Sequence, residues 1–277
     1  MIKVGLIGLG EQGKPFAINV AQGGFDLRVY DLKLEPVDEL VSKGARAARS
    51  AREVGTHSDI VEVIVVNDEQ LEAVVLGGDG VLAGARPGST IAIHSTVRPA
   101  TVRKIGEQAA ARGVGVLDAP VSGGARGAKK RTMCYMVGGA KDALERCRPV
   151  FATSASTIVH MGALGAGVTA KLAHQVILCL NILAAHEGTQ LARRAGLDAA
   201  ALGEAVRAGA AQSRVAERWA LARPAPQNTT LFYKDLALAL ELAGELGIDL
   251  PAATLVQQRL DEILGESGVA VAGRGAR

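Results

Sequence analysis

The stretch Ile2-Lys3-Val4-Gly5-Leu6-Ile7-Gly8-Leu9-Gly10-Glu11-Gln12-Gly13 decides how the front of this chain folds. Its first half is an apolar run that predicts a strand. Its second half is G-x-G-x-x-G, placed directly before a predicted helix. Gly8 permits a tight turn, Gly10 lets the backbone approach a pyrophosphate, and Gly13 lets the helix pack closely on the strand. The N–H groups at the helix start, with the positive end of its dipole, suit phosphate oxygens. Glycine is abundant here, 34 of 277 residues, so the triplet alone also fits an ordinary strand-to-helix turn. Its surroundings add content. A second apolar strand, Leu27-Arg28-Val29-Tyr30, ends on Asp31, where a carboxylate can accept from the adenosine ribose hydroxyls.

Strand and helix patterns alternate from there to about residue 160. Helices are expected after Gly13, around Pro36–Lys43, near Glu69–Leu76 and from Ala100 to Arg112. Strands are expected at Val61–Val66, Thr90–Ile93, Gly115–Leu117 and Met133–Val137. The Val61–Val66 run is almost wholly apolar, the mark of a parallel strand covered on both faces. Such βαβ alternation implies an α/β fold: a doubly wound parallel sheet carrying a nucleotide at its carboxyl edge. Val66, closing the third strand, joins Gly8, Leu9, Gly10, Glu11, Gln12, Gly13 and Asp31 in the candidate cofactor-binding set.

Beyond Gly165 no strand pattern returns. Val168–Ala195 reads as one long helix, apolar on most faces and expected to be buried. Further helices are expected near Ala200–Ala208, Ser213–Leu221, Leu231–Leu246 and Ala252–Leu264, and the Gly-rich end reads as a frayed tail. The expected organisation is a dinucleotide domain over residues 1–163, an all-helical substrate and oligomerisation domain over 164–267, and a tail over 268–277. The cleft between the domains is the default substrate site.

Composition narrows the partners. Net charge is +3 with scattered basic residues, which speaks against nucleic acid, and aromatics at 3% leave few stacking platforms. Cys134, Cys147 and Cys179 are odd in number and far apart, so neither a disulfide framework nor a metal site is indicated. The first residues read as a strand, not an export signal. Leu172–Ala185 is interrupted by His174, Gln175 and Asn181 and reads as too short for a bilayer. A cytoplasmic protein with no membrane partner is expected.

Asp118-Ala119-Pro120-Val121-Ser122-Gly123-Gly124 follows a strand and reads as a loop. A hydroxyl and exposed backbone N–H groups there suit a substrate carboxylate. Taken alone, Pro and two glycines also describe a plain turn. With the other motifs, however, the chain resembles the β-hydroxyacid dehydrogenase family, the group of 3-hydroxyisobutyrate dehydrogenase and tartronate semialdehyde reductase. The resemblance runs from Ile2 to about Leu264. It rests on Gly8–Gly13 with its strand, Ser95-Thr96 before Pro99, the Asp118–Gly124 segment, Gly165-Ala166-Gly167 followed by Lys171, and Lys234-Asp235-Leu236.

That resemblance implies a Rossmann domain followed by an all-α domain with a long interdomain helix. It implies hydride transfer between a nicotinamide and a small β-hydroxyacid or semialdehyde, with Lys171 as general acid–base. Ser122, Gly123 and Gly124 match the family's carboxylate anchors, and Thr96 a contact to the nicotinamide ribose. Lys234 matches a lysine that closes over substrate and cofactor, although a plain surface charge explains it nearly as well. Asp31 favours NAD over NADP, because a 2′-phosphate would meet like charge. Family members are commonly dimers or tetramers, so a homo-oligomer is expected.

The chain departs from the family at several positions. Gln175 stands where asparagine is usual; it shares a helix face with Lys171 and keeps an amide there, one methylene longer. His174 beside it reads either as a second proton carrier or as a packed histidine, and both residues enter the candidate substrate set. His94 replaces an aspartate, Gln12 a methionine, and Arg131 a glycine, each near the cofactor or substrate by resemblance. An imine reductase shares the architecture but generally lacks the lysine, and a cofactor-binding protein without turnover is the remaining alternative.

Overall fold

A computed structural model describes residues 1–221 and 229–264. The chain divides into two compact units, Met1–Lys171 and Leu172–Arg277. This division falls inside the long helix. The cause is local to the first unit: a Cβ on Gly167 would lie 2.5 Å from the carbonyl oxygens of Asp118 and Met136, so the helix start is pressed into the sheet. The expected tail, 268–277, lies outside the described residues.

In the first unit the chain runs β1 (Lys3–Ile7), α1 (Gly13–Gln22), β2 (Asp26–Tyr30), α2 (Leu34–Val41), β3 (Arg46–Ala47), α3 (Ala51–His57), β4 (Ile60–Val63), α4 (Asp68–Leu76) and α5 (Val81–Gly84). It continues through β5 (Thr90–Ile93), α6 (Pro99–Ala110), β6 (Gly115–Asp118), β7 (Val121–Ser122), α7 (Gly124–Lys130), β8 (Met133–Gly138), α8 (Lys141–Phe151), β9 (Ala155–Gly162) and the start of α9 (Ala166–Arg194). The strands form one sheet in the order β3-β2-β1-β4-β5-β6-β8-β7, with β9 parallel to β8. From β3 to β6 every pairing is parallel, whereas β8 runs antiparallel to β6 and β7. Because β1 pairs with β2 on one side and β4 on the other, the chain order reverses at β1, and a crevice opens beyond its carboxyl end. This is the Rossmann arrangement.

Both faces of the sheet are covered. Alternation sends Val4, Leu6, Ile60 and Ala92 into one core with Phe16, Val20 and Leu40, and Ile7, Val61, Val63, Ile91 and Ile93 into the other with Val54, Leu71 and Ile105. β3, β7 and β9 were not among the expected strands, and the expected loop Asp118–Gly124 holds the end of β6, all of β7 and the first residue of α7. The expected Val61–Val66 strand stops at Val63. Beyond it the Val65 N–H turns to Ser95 Oγ (2.9 Å) and the Val66 N–H to Gln70 Oε1 (3.0 Å), so the chain leaves the sheet.

In the helical unit, α9 continues and is followed by α10 (Ala199–Ala208), α11 (Arg214–Leu221), α12 (Thr229–Glu245) and α13 (Pro251–Leu264). Asp198 caps α10 by accepting the Ala201 N–H. Cys179, Ile182, Trp219, Leu236, Val256, Leu260 and Ile263 form the core. The long helix is not buried on most faces, as its apolar composition led one to expect. Its buried residues Val168, Lys171, Leu172, Gln175, Cys179, Ile182, His186 and Thr189 follow one stripe at three- and four-residue spacing, while Ile177 and Leu191 are 61% and 74% exposed. With 29 residues it is long and apolar enough, by length and composition, to cross a membrane, which corrects the shorter reading. Core helices pass the same test, and the polar groups along its buried stripe fit that pattern.

Candidate active site

At the end of β1 each glycine of the motif has a separate job. A Cβ on Gly8 would lie 1.9 Å from the Ile64 carbonyl oxygen, and one on Gly13 would lie 1.8 Å from that of Gly8. A Cβ on Gly10 would meet nothing within 4 Å, so this residue faces open space. Gly8 also has φ of +90°, which side chains other than hydrogen strain to adopt. α1 begins without a side-chain cap and without an acidic residue in its first turn, so the positive end of its dipole is open to an anion, although the Lys14 N–H is held by the Gly10 carbonyl (3.1 Å) and Pro15 has none. Asp31, just past β2, accepts the Leu9 N–H at 2.6 Å and the Lys33 N–H at 2.8 Å, tying the glycine loop to the end of β2. These residues fit a dinucleotide. Val66 lies beyond β4 and is 55% exposed, and Thr96 follows β5, on the same carboxyl side of the sheet.

Lys14 and Lys43 both pair with Glu39 (2.8 and 2.7 Å) and hold its carboxyl at about 2, far below the usual carboxylate range. The positive charge next to the glycine loop is therefore partly compensated from α2.

The second cluster forms around the end of β6. Ser122 in β7 stands opposite Cys134 in β8, and Gly123 and Gly124 follow with φ of +138° and +59°. A Cβ on Gly123 would lie 2.7 Å from Met133 Sδ, whereas Gly124 faces open space. The backbone thus turns sharply at the place expected to meet a carboxylate. Asp118 is fully buried below it; its Oδ1 accepts the Gly165 N–H (2.8 Å) and its Oδ2 the Val168 N–H (2.7 Å). Burial raises the Asp118 carboxyl above its ordinary pKa, and these N–H groups pull it back. Lys171, 8% exposed, lies three residues beyond Val168.

Within the helical unit Gln175 Nε2 donates to Asp235 Oδ2 (2.6 Å), and Lys234 Nζ pairs with Asp235 Oδ1 (2.9 Å). His174 Nδ1 lies 3.3 Å from Gln175 Oε1. Lys234 is thus an ion-paired, half-buried cation rather than a plain surface charge.

Two departures are held by contacts that the fold brings together. His94 is buried in the core against the rings of Phe16, Tyr135 and Phe151, with centroids 5.4–5.8 Å apart. Its Nδ1 donates to the Ala119 carbonyl (2.8 Å), and its Nε2 lies 3.2 Å from Glu62 Oε1. A carbonyl can only accept, so the proton on Nδ1 is fixed by its partner. Arg131 occupies the left-handed position after α7, φ +57°, and its guanidinium donates to Asn19 and Gln22 of α1. It braces two helices where a glycine would only turn the chain. Neither arrangement has a local sequence signal, since each partner lies at least 25 residues away.

The NAD binding domain of 6-phosphogluconate dehydrogenase matches residues 3–162, and the NAD-binding domain of NADP-dependent 3-hydroxyisobutyrate dehydrogenase matches residues 165–271. The chain belongs to the β-hydroxyacid dehydrogenase family. It is 37% identical to the 2-hydroxy-3-oxopropionate reductase of Escherichia coli, over 96% of this chain and 93% of that protein. It is 36% identical to the NAD-dependent L-serine dehydrogenase of Pseudomonas aeruginosa, covering 92% and 90%. The crystal structure of 3-hydroxyisobutyrate dehydrogenase from Salmonella typhimurium superimposes with a TM-score of 0.81 at 32% identity, over 95% and 94% of the two chains. This β-hydroxyacid dehydrogenase family member is accordingly an NAD(P)-dependent oxidoreductase, with a Rossmann domain and a helical domain.

Proposed function

We propose that the enzyme moves a hydride between NAD(H) and a small β-hydroxyacid or its semialdehyde, with Lys171 as the general acid–base. The observation that carries this reading is the burial of Lys171 on a helix whose first turn is bonded to Asp118, the residue that opens the substrate-anchor segment. A lysine is rarely buried without a purpose, and a desolvated amine approaches acid–base usefulness near neutrality. Ser122 offers a hydroxyl and Gly123 and Gly124 offer backbone N–H groups to the carboxylate, whose charge roughly doubles the strength of each hydrogen bond. The bound nicotinamide supplies or accepts the hydride. Lys171 takes the hydroxyl proton on oxidation and returns it on reduction, and its charged form stabilises the alkoxide-like oxygen between the two.

NAD is the favoured cofactor in this reading, because the Asp31 carboxylate would face the 2′-phosphate of NADP. The name of the Pseudomonas aeruginosa relative, an NAD-dependent enzyme, supports the same choice. Gln175, where the family commonly has asparagine, shapes a pocket whose preferred side chain differs from that of 3-hydroxyisobutyrate. The test is a panel of short β-hydroxyacids, their methyl esters and the matching aldehydes, assayed with both nicotinamides. Turnover confined to acids supports the reading, and absence of turnover across the panel leaves a cofactor-binding protein instead.

A further inference from the structure

We propose that Asp118 is the positioning residue for Lys171, its buried carboxylate fixing the first turn of α9 against the end of β6. The inference rests on the reading of Lys171 as acid–base. Asp118 sits where β6 pairs with β8, opposite Gly138, so its backbone belongs to the rigid sheet. Its two oxygens accept N–H groups from Gly165 and Val168, three residues apart at the helix entry. Helix entries leave such donors without intrahelical partners, and a carboxylate there also meets the positive end of the dipole.

The fit leaves no slack. A Cβ on Gly138 would lie 2.3 Å from Asp118 Oδ1, and one on Gly167 would lie 2.5 Å from the Asp118 carbonyl oxygen. Gly165, with φ of +94°, supplies the turn that aims its own N–H at the carboxylate. Ser122, four residues after Asp118, is held on β8 through Cys134. One strand, β8, therefore pairs both with the strand of the carboxylate anchor and with the strand whose Asp118 holds the base of the lysine's helix. Lys171 follows Val168 by about one helical turn, so a shift of the helix entry along its axis moves the amine directly relative to Ser122. Burial makes the carboxylate costly at this position. A hydroxyl cap would satisfy one N–H without that cost, but it could not hold two donors or place a negative charge one turn from the lysine.

The test compares Asp118→Asn with the parent and with Lys171→Ala. The carboxamide keeps the size but turns an NH2 group toward one of the two N–H donors. In Asp118→Asn kcat should fall by at least about tenfold, since displacements near 1 Å cost up to a hundredfold. The acid limb of the kcat–pH profile for oxidation should move down by about half a unit, because the negative charge at the helix entry no longer favours protonated lysine. NADH affinity should stay within about twofold, as the Gly8–Gly13 loop is a separate cluster. A folded Asp118→Asn with kcat within about twofold of the parent and an unmoved acid limb would overturn the proposal. If that variant does not fold, Asp118→Ser, whose hydroxyl can accept an N–H with its own hydrogen turned away, replaces it under the same criteria. Failure of both to fold also counts against the proposal, since Asp118 would then hold the domain rather than the lysine. Lys171→Ala separates the two readings: if it keeps full turnover, the acid–base reading fails. If it loses turnover while Asp118→Asn does not, only the positioning role fails.

Discussion

Gln175 Nε2 donates to Asp235 Oδ2 across 2.6 Å, with both residues buried in the helical unit. The amide that replaces the family's asparagine is therefore oriented by a carboxylate from α12, sixty residues away in sequence. Its NH2 end turns to Asp235, which in turn pairs with Lys234. A shorter asparagine would not span the same distance without moving one of the helices.

Gln175→Met keeps the volume and removes the donor. It should leave Asp235 Oδ2 short of a partner and destabilise the protein by about 1–3 kcal/mol, the range for a buried polar group left unsatisfied. Urea denaturation measures this, and an unchanged midpoint would show that the bond contributes nothing.

The motif glycines should separate by what a methyl group would meet. Gly13→Ala drives Cβ against the Gly8 carbonyl oxygen, 1.8 Å away, and should cost about 1–3 kcal/mol of stability, as overpacking does. Gly10→Ala points into open space, so its melting temperature should match the parent's while NADH affinity falls, because the methyl group occupies the path of the pyrophosphate. Equal melting temperatures for the two variants would contradict the assignment.

Asp31 should govern the choice of nicotinamide. The parent is expected to show the higher kcat/KM with NAD(H), and Asp31→Asn should move the NAD/NADP ratio by at least about tenfold toward NADP, some 1.4 kcal/mol. The asparagine oxygen can still accept the Leu9 N–H, while its NH2 group then faces the Lys33 N–H, so the melting temperature is measured on the same variant to separate loop damage from cofactor choice. A parent that already favours NADP would refute the assignment.

Glu39 gives a pH dependence with a defined sign. Lys14 and Lys43 lower its carboxyl from 4.5 to about 2, so its contribution is present above 4.5 and is lost as pH falls toward 2. Glu39→Gln should lower the melting temperature slightly at pH 7 and not at pH 2. The pair is exposed, so 1 M salt should erase most of the difference. A difference that persists at pH 2 would assign the effect to something other than this charge.

Much of the fold follows from periodicity. Val4 and Leu6 enter one core and Ile7, Ile91 and Ile93 the other, and the glycine motif marks the end of β1, where the strand order reverses. Helix α9 was legible as an apolar run, but its burial was not. Composition sums over all faces, and only the spacing from Val168 to Thr189 reveals the single buried stripe. The two-residue strands Arg46–Ala47 and Val121–Ser122 are too short to carry a period, so they escape sequence reading. Lys171 and the Ser122 loop could be placed by motif. The carboxylate joining their supports could not, because Asp118 and Val168 lie 50 residues apart and meet only once β6 and β8 pair. The contacts of His94 and Arg131 were illegible for the same reason: their partners, Glu62 and Asn19, become neighbours only in the folded unit.

The most direct test of the acid–base assignment is Lys171→Ala, with turnover and NADH binding measured on the same preparation. Removing a general acid–base group should lower kcat by at least about a hundredfold, while NADH, on the proposed site at Gly8–Gly13 and Asp31, should bind with nearly the parent's affinity. Turnover comparable to the parent's would remove Lys171 from the chemistry and contradict the account.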